Sequence, residues 1–154
     1  MRTPTLVLLA VLAVGCVRTS TNPVTGKTDV DIESPLKKGE DWKGTLTGMG
    51  TTTALSGNTT IAVLNGRTTA TVTLNGGTPG MSYPFMIHEG TCSAPGQVVG
   101  DMSAYTPITI GQDGTGTATV TLQTQLKEST KYVLAVHASS SDMATIVACG
   151  ELKD

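Results

Sequence analysis

The sequence predicts an all-β fold: a Greek-key β-barrel or sandwich of about eight antiparallel strands. Three observations carry this reading. From Trp42 onward, apolar residues recur at spacing two rather than three or four. The same region is rich in Thr, Val and Gly, which suit pleated strands and the turns between them. Turn signals recur along it, at Ser56-Gly57-Asn58, Asn65-Gly66, Asn75-Gly76-Gly77 and Asp113-Gly114.

The alternation places strands at 42–47, 59–64, 69–74, 81–88, 117–122, 131–138 and 144–149. In Thr69-Ala70-Thr71-Val72-Thr73-Leu74 every odd position carries a hydroxyl and every even one is apolar. Thr117-Ala118-Thr119-Val120-Thr121-Leu122 repeats the pattern. Each run reads as a strand with one face on the core and one in water. No fixed period extends across the region, so the two runs reflect strand propensity rather than a repeat architecture. The one helix-like stretch, 125–129, is too short to form an element. Gly76-Gly77-Thr78-Pro79-Gly80 lacks the lysine and the strand-to-helix setting of a phosphate loop and reads as a turn.

The N-terminus has the layout of an export signal: Arg2, an apolar run from Leu6 to Val14, then small residues before Cys16. That run is shorter than the roughly 20 residues needed to span a bilayer. Leu12-Ala13-Val14-Gly15-Cys16 resembles a bacterial lipobox, which implies that residues 1–15 are removed and Cys16 is lipidated. Ala13 stands where a lipobox prefers leucine, and Ala13-Val14-Gly15 also fits an ordinary small-x-small cleavage site. The resemblance implies an exported chain in the cell envelope, held to a membrane by its lipid. Val17 lacks the aspartate that, in enteric bacteria, retains lipoproteins at the inner membrane, which points to the outer membrane or cell surface. Residues 16–40 are polar with no apolar periodicity and read as a flexible tether. Residues 41–154 are long enough for one domain with a real core. A net charge of −2 with no basic cluster argues against a nucleic-acid partner. In a bacterial chain the sequon Asn58-Thr59-Thr60 is usually idle.

The chain has three cysteines, an odd number for an exported protein. Lipidation of Cys16 leaves Cys92 and Cys149 to pair in an oxidising compartment. Closing that loop of about 57 residues contributes ~4 kcal/mol in the chain-entropy model. The alternative is two free buried thiols.

Both histidines fall in strand-like runs, at Phe85-Met86-Ile87-His88-Glu89 and Val136-His137. Strand alternation turns Phe85 and Ile87 to the core and Met86 and His88 outward. Likewise Tyr132, Leu134 and Val136 face the core, and His137 shares the outer face with Val133 and Ala135. Both imidazoles are thus expected on the outside of the barrel, where they can meet under a loop. Glu89 is a weak candidate to orient His88, because neighbours on a strand point to opposite faces.

Phe85-Met86-Ile87-His88-Glu89, Cys92, Val136-His137 and Ala148-Cys149-Gly150 stand in the order of the corresponding motifs of the copper/zinc superoxide dismutases. The resemblance spans the domain from Trp42 to Leu152. It implies an eight-stranded Greek-key barrel, a disulfide between Cys92 and Cys149, and a metal site on the outer face. The departures bear on function. Met86 replaces the first histidine of the family's His-x-His, no histidine remains for the bridging and zinc positions, and Ile146 stands where the family has its anion-guiding arginine. The zinc loop is shortened to 93–104. Ordinary superoxide dismutation is therefore not expected.

Met86, His88 and His137 still offer one thioether and two imidazoles, a set suited to Cu(I). The plain alternatives are that Met86 fills a gap and that the histidines bond to backbone or to Glu89. The resulting expectation is a lipid-anchored envelope protein with a degenerate dismutase-like barrel, acting as a copper-binding or structural module. A divergent copper enzyme, superoxide dismutase or other, is the alternative.

Overall fold

Alternating threonines write the outer face of this sheet, and the strands that carry them pair with each other. The computed structural model describes residues 18–21, 28–31, 40–52 and 54–154. They fall into two units, divided after Lys37. In the first, β1 (Arg18–Thr21) pairs antiparallel with β2 (Thr28–Asp31). The tether expected over 16–40 thus includes a short hairpin. Its polar strands carry no apolar face that periodicity could mark.

The second unit is built from β3 (Glu40–Gly48), β4 (Ser56–Leu64), β5 (Arg67–Asn75), β6 (Ser82–Tyr83), β7 (Phe85–Thr91), β8 (Ala94–Val98), β9 (Ile108–Thr109), β10 (Thr115–Leu122), β11 (Tyr132–Ser139) and β12 (Asp142–Leu152). Eight of these form one sheet in the order β10-β5-β4-β3-β12-β11-β7-β8. It is antiparallel throughout and curls into a half-barrel. β6 and β9 pair with each other apart from it. A single 3-10 turn, Met102–Ala104, is the one helical element among the described residues.

Register fixes the two faces of the sheet. Phe85 pairs with Val136 and Val136 with Ala148, while Ile87 pairs with Leu134 and Leu134 with Gly150, so these residues share the inner face. Phe85, Ile87, Leu134 and Val136 are fully buried there. The same face carries Trp42, Leu46, Ile61, Val72, Leu74, Val120 and Leu122 from the remaining strands. Burying each such side chain contributes about 1.5–3 kcal/mol. On the outer face of β5 and β10, the hydroxyls of Thr69 and Thr121, Thr71 and Thr119, and Thr73 and Thr117 lie 3.3, 3.2 and 3.2 Å apart. Cross-strand threonine pairs of this kind are a recurring unit of sheet stabilisation.

The strands expected from alternation all form, most with longer ends. The run expected over 81–88 divides at Pro84, because proline has no N–H for a ladder. Ser82–Tyr83 joins β9, whereas Phe85–Thr91 enters the main sheet. β8 arises inside the stretch read as loop; its sequence, Ala-Pro-Gly-Gln-Val, lacks alternation and suits only an edge position. No helix forms at 125–129. Instead Leu126 is buried and the Lys127 N–H donates to the Tyr132 hydroxyl at 3.1 Å.

β7 is fixed on both sides. Its pairing with β11 runs from Phe85 to Glu89. On the other side the Val99 N–H donates to the Ile87 carbonyl at 2.8 Å. The buried Tyr105 hydroxyl accepts from the Ile87 N–H at 3.4 Å and donates to the Val99 carbonyl at 2.7 Å. Its ring packs edge-on against Phe85 with centroids 5.7 Å apart. Burial pushes the Tyr105 phenol up to about 12, so it remains a donor.

Candidate metal site

Neighbouring residues on β7 and β11 carry His88 and His137 to one place. His88 pairs with Val133 and Met86 with Ala135, which puts these four on the outer face of the sheet. His137 follows two positions beyond Ala135, with its N–H donating to the Pro84 carbonyl at 2.8 Å. Met86 therefore occupies the row between the two imidazoles. The ring centroids of His88 and His137 are 5.7 Å apart, with planes tilted by 50°.

The outer face is not open to solvent here, in keeping with the expectation that the two imidazoles meet there under a loop. Met86, His88 and His137 are 7%, 9% and 4% exposed. Alternation assigns a side chain to a face but does not say what lies over that face. The cover follows from the disulfide. Cys92 and Cys149 are bonded, with Cα atoms 5.9 Å apart. Cys149 pairs with Ala135 and so points to the outer face. Thr91 pairs with Ala94, so Cys92 sits in the two-residue turn of the β7–β8 hairpin, and because β11 lies between β7 and β12 the bond to Cys149 holds that turn as a strap over β11. Beneath that strap Val133 and Ala135 are fully buried.

The hydrogen bonding of His88 defines its tautomer. Its Nδ1 lies 3.0 Å from the Gly96 carbonyl of β8. A carbonyl can only accept, so Nδ1 carries the proton and the lone pair of the neutral ring is on Nε2. That Nε2 is buried and has no hydrogen-bond partner. Neither ring nitrogen of His137 has one either. Each buried polar atom left unpaired costs about 1–3 kcal/mol. Desolvation holds the His137 pKa below its ordinary 6.5. The Met143 backbone opposes that shift without making a hydrogen bond of good geometry, the His88 ring adds to it, and Asp142 opposes it. The site is thus two buried imidazoles side by side, with the Nδ1 of His88 bonded to backbone and its Nε2 left free.

Glu89 is exposed and pairs with Tyr132, away from the histidines, so it does not orient His88. The orienting group is the Gly96 carbonyl, which fits the plain alternative that a histidine bonds to backbone, although a backbone acceptor on an irregular strand leaves no residue-type signal by which to name it. Ile146 pairs directly with His137 on β12. Among the described residues, no group of three or more His, Cys, Asp or Glu is placed to hold a metal ion. Met86, in the row between the two rings, is the thioether on the same face. Cys16 and the signal residues 1–15 lie outside the described residues.

No family model and no curated protein sequence matches this chain.

Proposed function

We propose that this is an exported, lipid-anchored cell-envelope protein whose barrel-like domain binds Cu(I) between His88 and His137, with Met86 as a third ligand. The observation that carries the reading is the pair of buried imidazoles 5.7 Å apart, with three ring nitrogens lacking any partner. A metal ion held between the rings would take one lone pair from each, leaving the second His137 nitrogen as an N–H donor. Imidazole nitrogen with thioether sulfur suits Cu(I), which accepts two or three soft ligands, whereas Zn(II) normally requires a fuller tetrahedral set. The Gly96 carbonyl acts as the outer partner that fixes a ligating histidine in the required tautomer.

The resemblance to copper/zinc superoxide dismutases is part of this proposal. It is supported by the curled antiparallel sheet and by the disulfide, each of which fits the order of motifs in the sequence. The role we propose is binding rather than turnover. Ile146, paired with His137, offers no positive charge to a superoxide anion, and no third histidine is available to bridge two metals. A metal-free structural module is the second reading. The uncharged threonine face, half-buried on β5 and exposed on β10, favours it.

Titration of the purified protein with Cu(I) against a chromophoric competing chelator tests the proposal. One Cu(I) held per chain supports it. Failure to compete with even a weak chelator leaves the metal-free module.

A further inference from the structure

β10 is one edge of the eight-stranded sheet, and it lacks the features that normally blunt an edge. The opposite edge, β8, carries Pro95 and Gly96 and a register shift against β7. β10 reads Thr-Gly-Thr-Ala-Thr-Val-Thr-Leu, with no charge, no proline and no bulge in its pairing with β5.

The direction of its backbone groups follows from its first residues. The Gly114 carbonyl accepts from Gly77, which follows β5, whereas the Thr115 carbonyl accepts from Gly111. In an antiparallel strand the N–H and C=O of one residue point to the same side, and successive residues alternate. Thr117, Thr119 and Thr121 therefore turn both groups away from β5. The preceding chain does not cover them, because it passes over the inner face at Gly116, where an added Cβ would meet the Thr109 carbonyl at 2.6 Å. Among the described residues none pairs with these backbone groups. The side chains of Thr117, Thr119 and Thr121 are exposed.

We propose that β10 is a homodimer interface, in which two copies of this chain join their sheets edge to edge about a two-fold axis at Thr119. The strand is its own complement. Antiparallel pairing with Thr119 opposite Thr119 sets Thr117 of one copy against Thr121 of the other, so that every outward N–H meets an outward carbonyl. That makes about six hydrogen bonds. The threonine rows of β5 and β10 then run unbroken across the axis, and the absence of charge removes like-charge repulsion between copies. Along the strand the first charged residue, Asp113, falls opposite Gln125 of the other copy, and Arg67 of β5 is held to Gln123 by a 3.0 Å hydrogen bond. Isologous pairing of this kind closes at two copies and leaves the other edges as they were.

Cross-linking in the full chain carrying Cys16→Ser tests the interface. With Thr119→Cys, a short bis-maleimide should produce a covalent dimer at twice the 15.8 kDa chain mass. Thr60→Cys, on the same face but two strands further in, should produce none. Adding Thr121→Pro to Thr119→Cys should abolish the dimer, because proline removes an outward N–H that the monomer does not use. Thr119→Lys, which sets like charges across the axis, should leave the chain monomeric by light scattering. No covalent dimer with Thr119→Cys, equal cross-linking with Thr60→Cys, or a dimer undiminished by Thr121→Pro would overturn the proposal.

Discussion

His88 and His137 face each other across the row held by Met86, ring centroids 5.7 Å apart, and of their four ring nitrogens only His88 Nδ1 has a hydrogen-bond partner. A purely structural histidine is expected to have its nitrogens satisfied, since buried polar groups in native proteins nearly always are. These unpaired nitrogens are the observation on which the proposed metal site rests.

His88→Ala and His137→Ala should each abolish Cu(I) binding, and Met86→Leu should weaken Cu(I) while leaving the fold intact. The metal-free protein supplies a second readout. His137→Phe removes two unpaired buried nitrogens and should be neutral or stabilising by about 1 kcal/mol, less any cost of overpacking. Chemical denaturation of the metal-free variant checks this. A loss of several kcal/mol would mean that His137 holds the fold together.

The stability of the metal-free protein should fall as the solution is acidified through about 6.5. The pKa of His137 is depressed in the folded state, chiefly by desolvation. Below its unfolded value the unfolded chain binds the proton that the folded chain resists, so protonation favours unfolding. The loss is limited to about 1.4 kcal/mol per pH unit per proton and ceases below the folded pKa. Above the unfolded value His137 makes no such contribution. Denaturation midpoints between pH 5 and 8 should show this slope, and it should vanish in His137→Phe.

Replacing Cys92 or Cys149 with serine should cost about 2–5 kcal/mol. It should also free the chain that crosses β11, so that Val133 and Ala135 lose their cover. Hydrogen exchange at those two positions should accelerate more than at Leu134, whose side chain faces the core. In the native exported protein neither cysteine should react with a thiol reagent.

Anchoring through Cys16 should make detergent necessary to extract the mature protein, with Cys16→Ser releasing it or stalling its processing. The acyl chains supply affinity at roughly 0.8 kcal/mol per buried methylene. Recovery of the wild-type protein wholly in the soluble fraction, with an unmodified N-terminus, would refute the anchor.

What could be read in advance was whatever alternation encodes. β5 and β10 follow directly from Thr69 to Leu74 and Thr117 to Leu122, where hydroxyl and methyl residues alternate without a break. The faces of β7 and β11 were legible too, and with them the meeting of His88 and His137. Pro84 signalled the division between β6 and β7 through its missing N–H, a cue that the apolar run around it obscures. β8 was not legible, because Pro95 and Gly96 carry loop character and only its hydrogen bonds to β7 make it a strand. The cover over His88 and His137 was legible in outline, since Cys92 and Cys149 were expected to pair and the imidazoles to meet under a loop, but no local pattern records how deeply Met86, His88 and His137 are buried.

X-ray absorption at the copper edge of the Cu(I)-loaded protein reads the proposed ligand set itself. Two nitrogen scatterers near 2.0 Å and one sulfur near 2.3 Å are expected, with one nitrogen lost in His137→Ala if any copper remains, and the sulfur lost in Met86→Leu. Copper that washes away on desalting, or a first shell that is the same in wild type and His137→Ala, would contradict it.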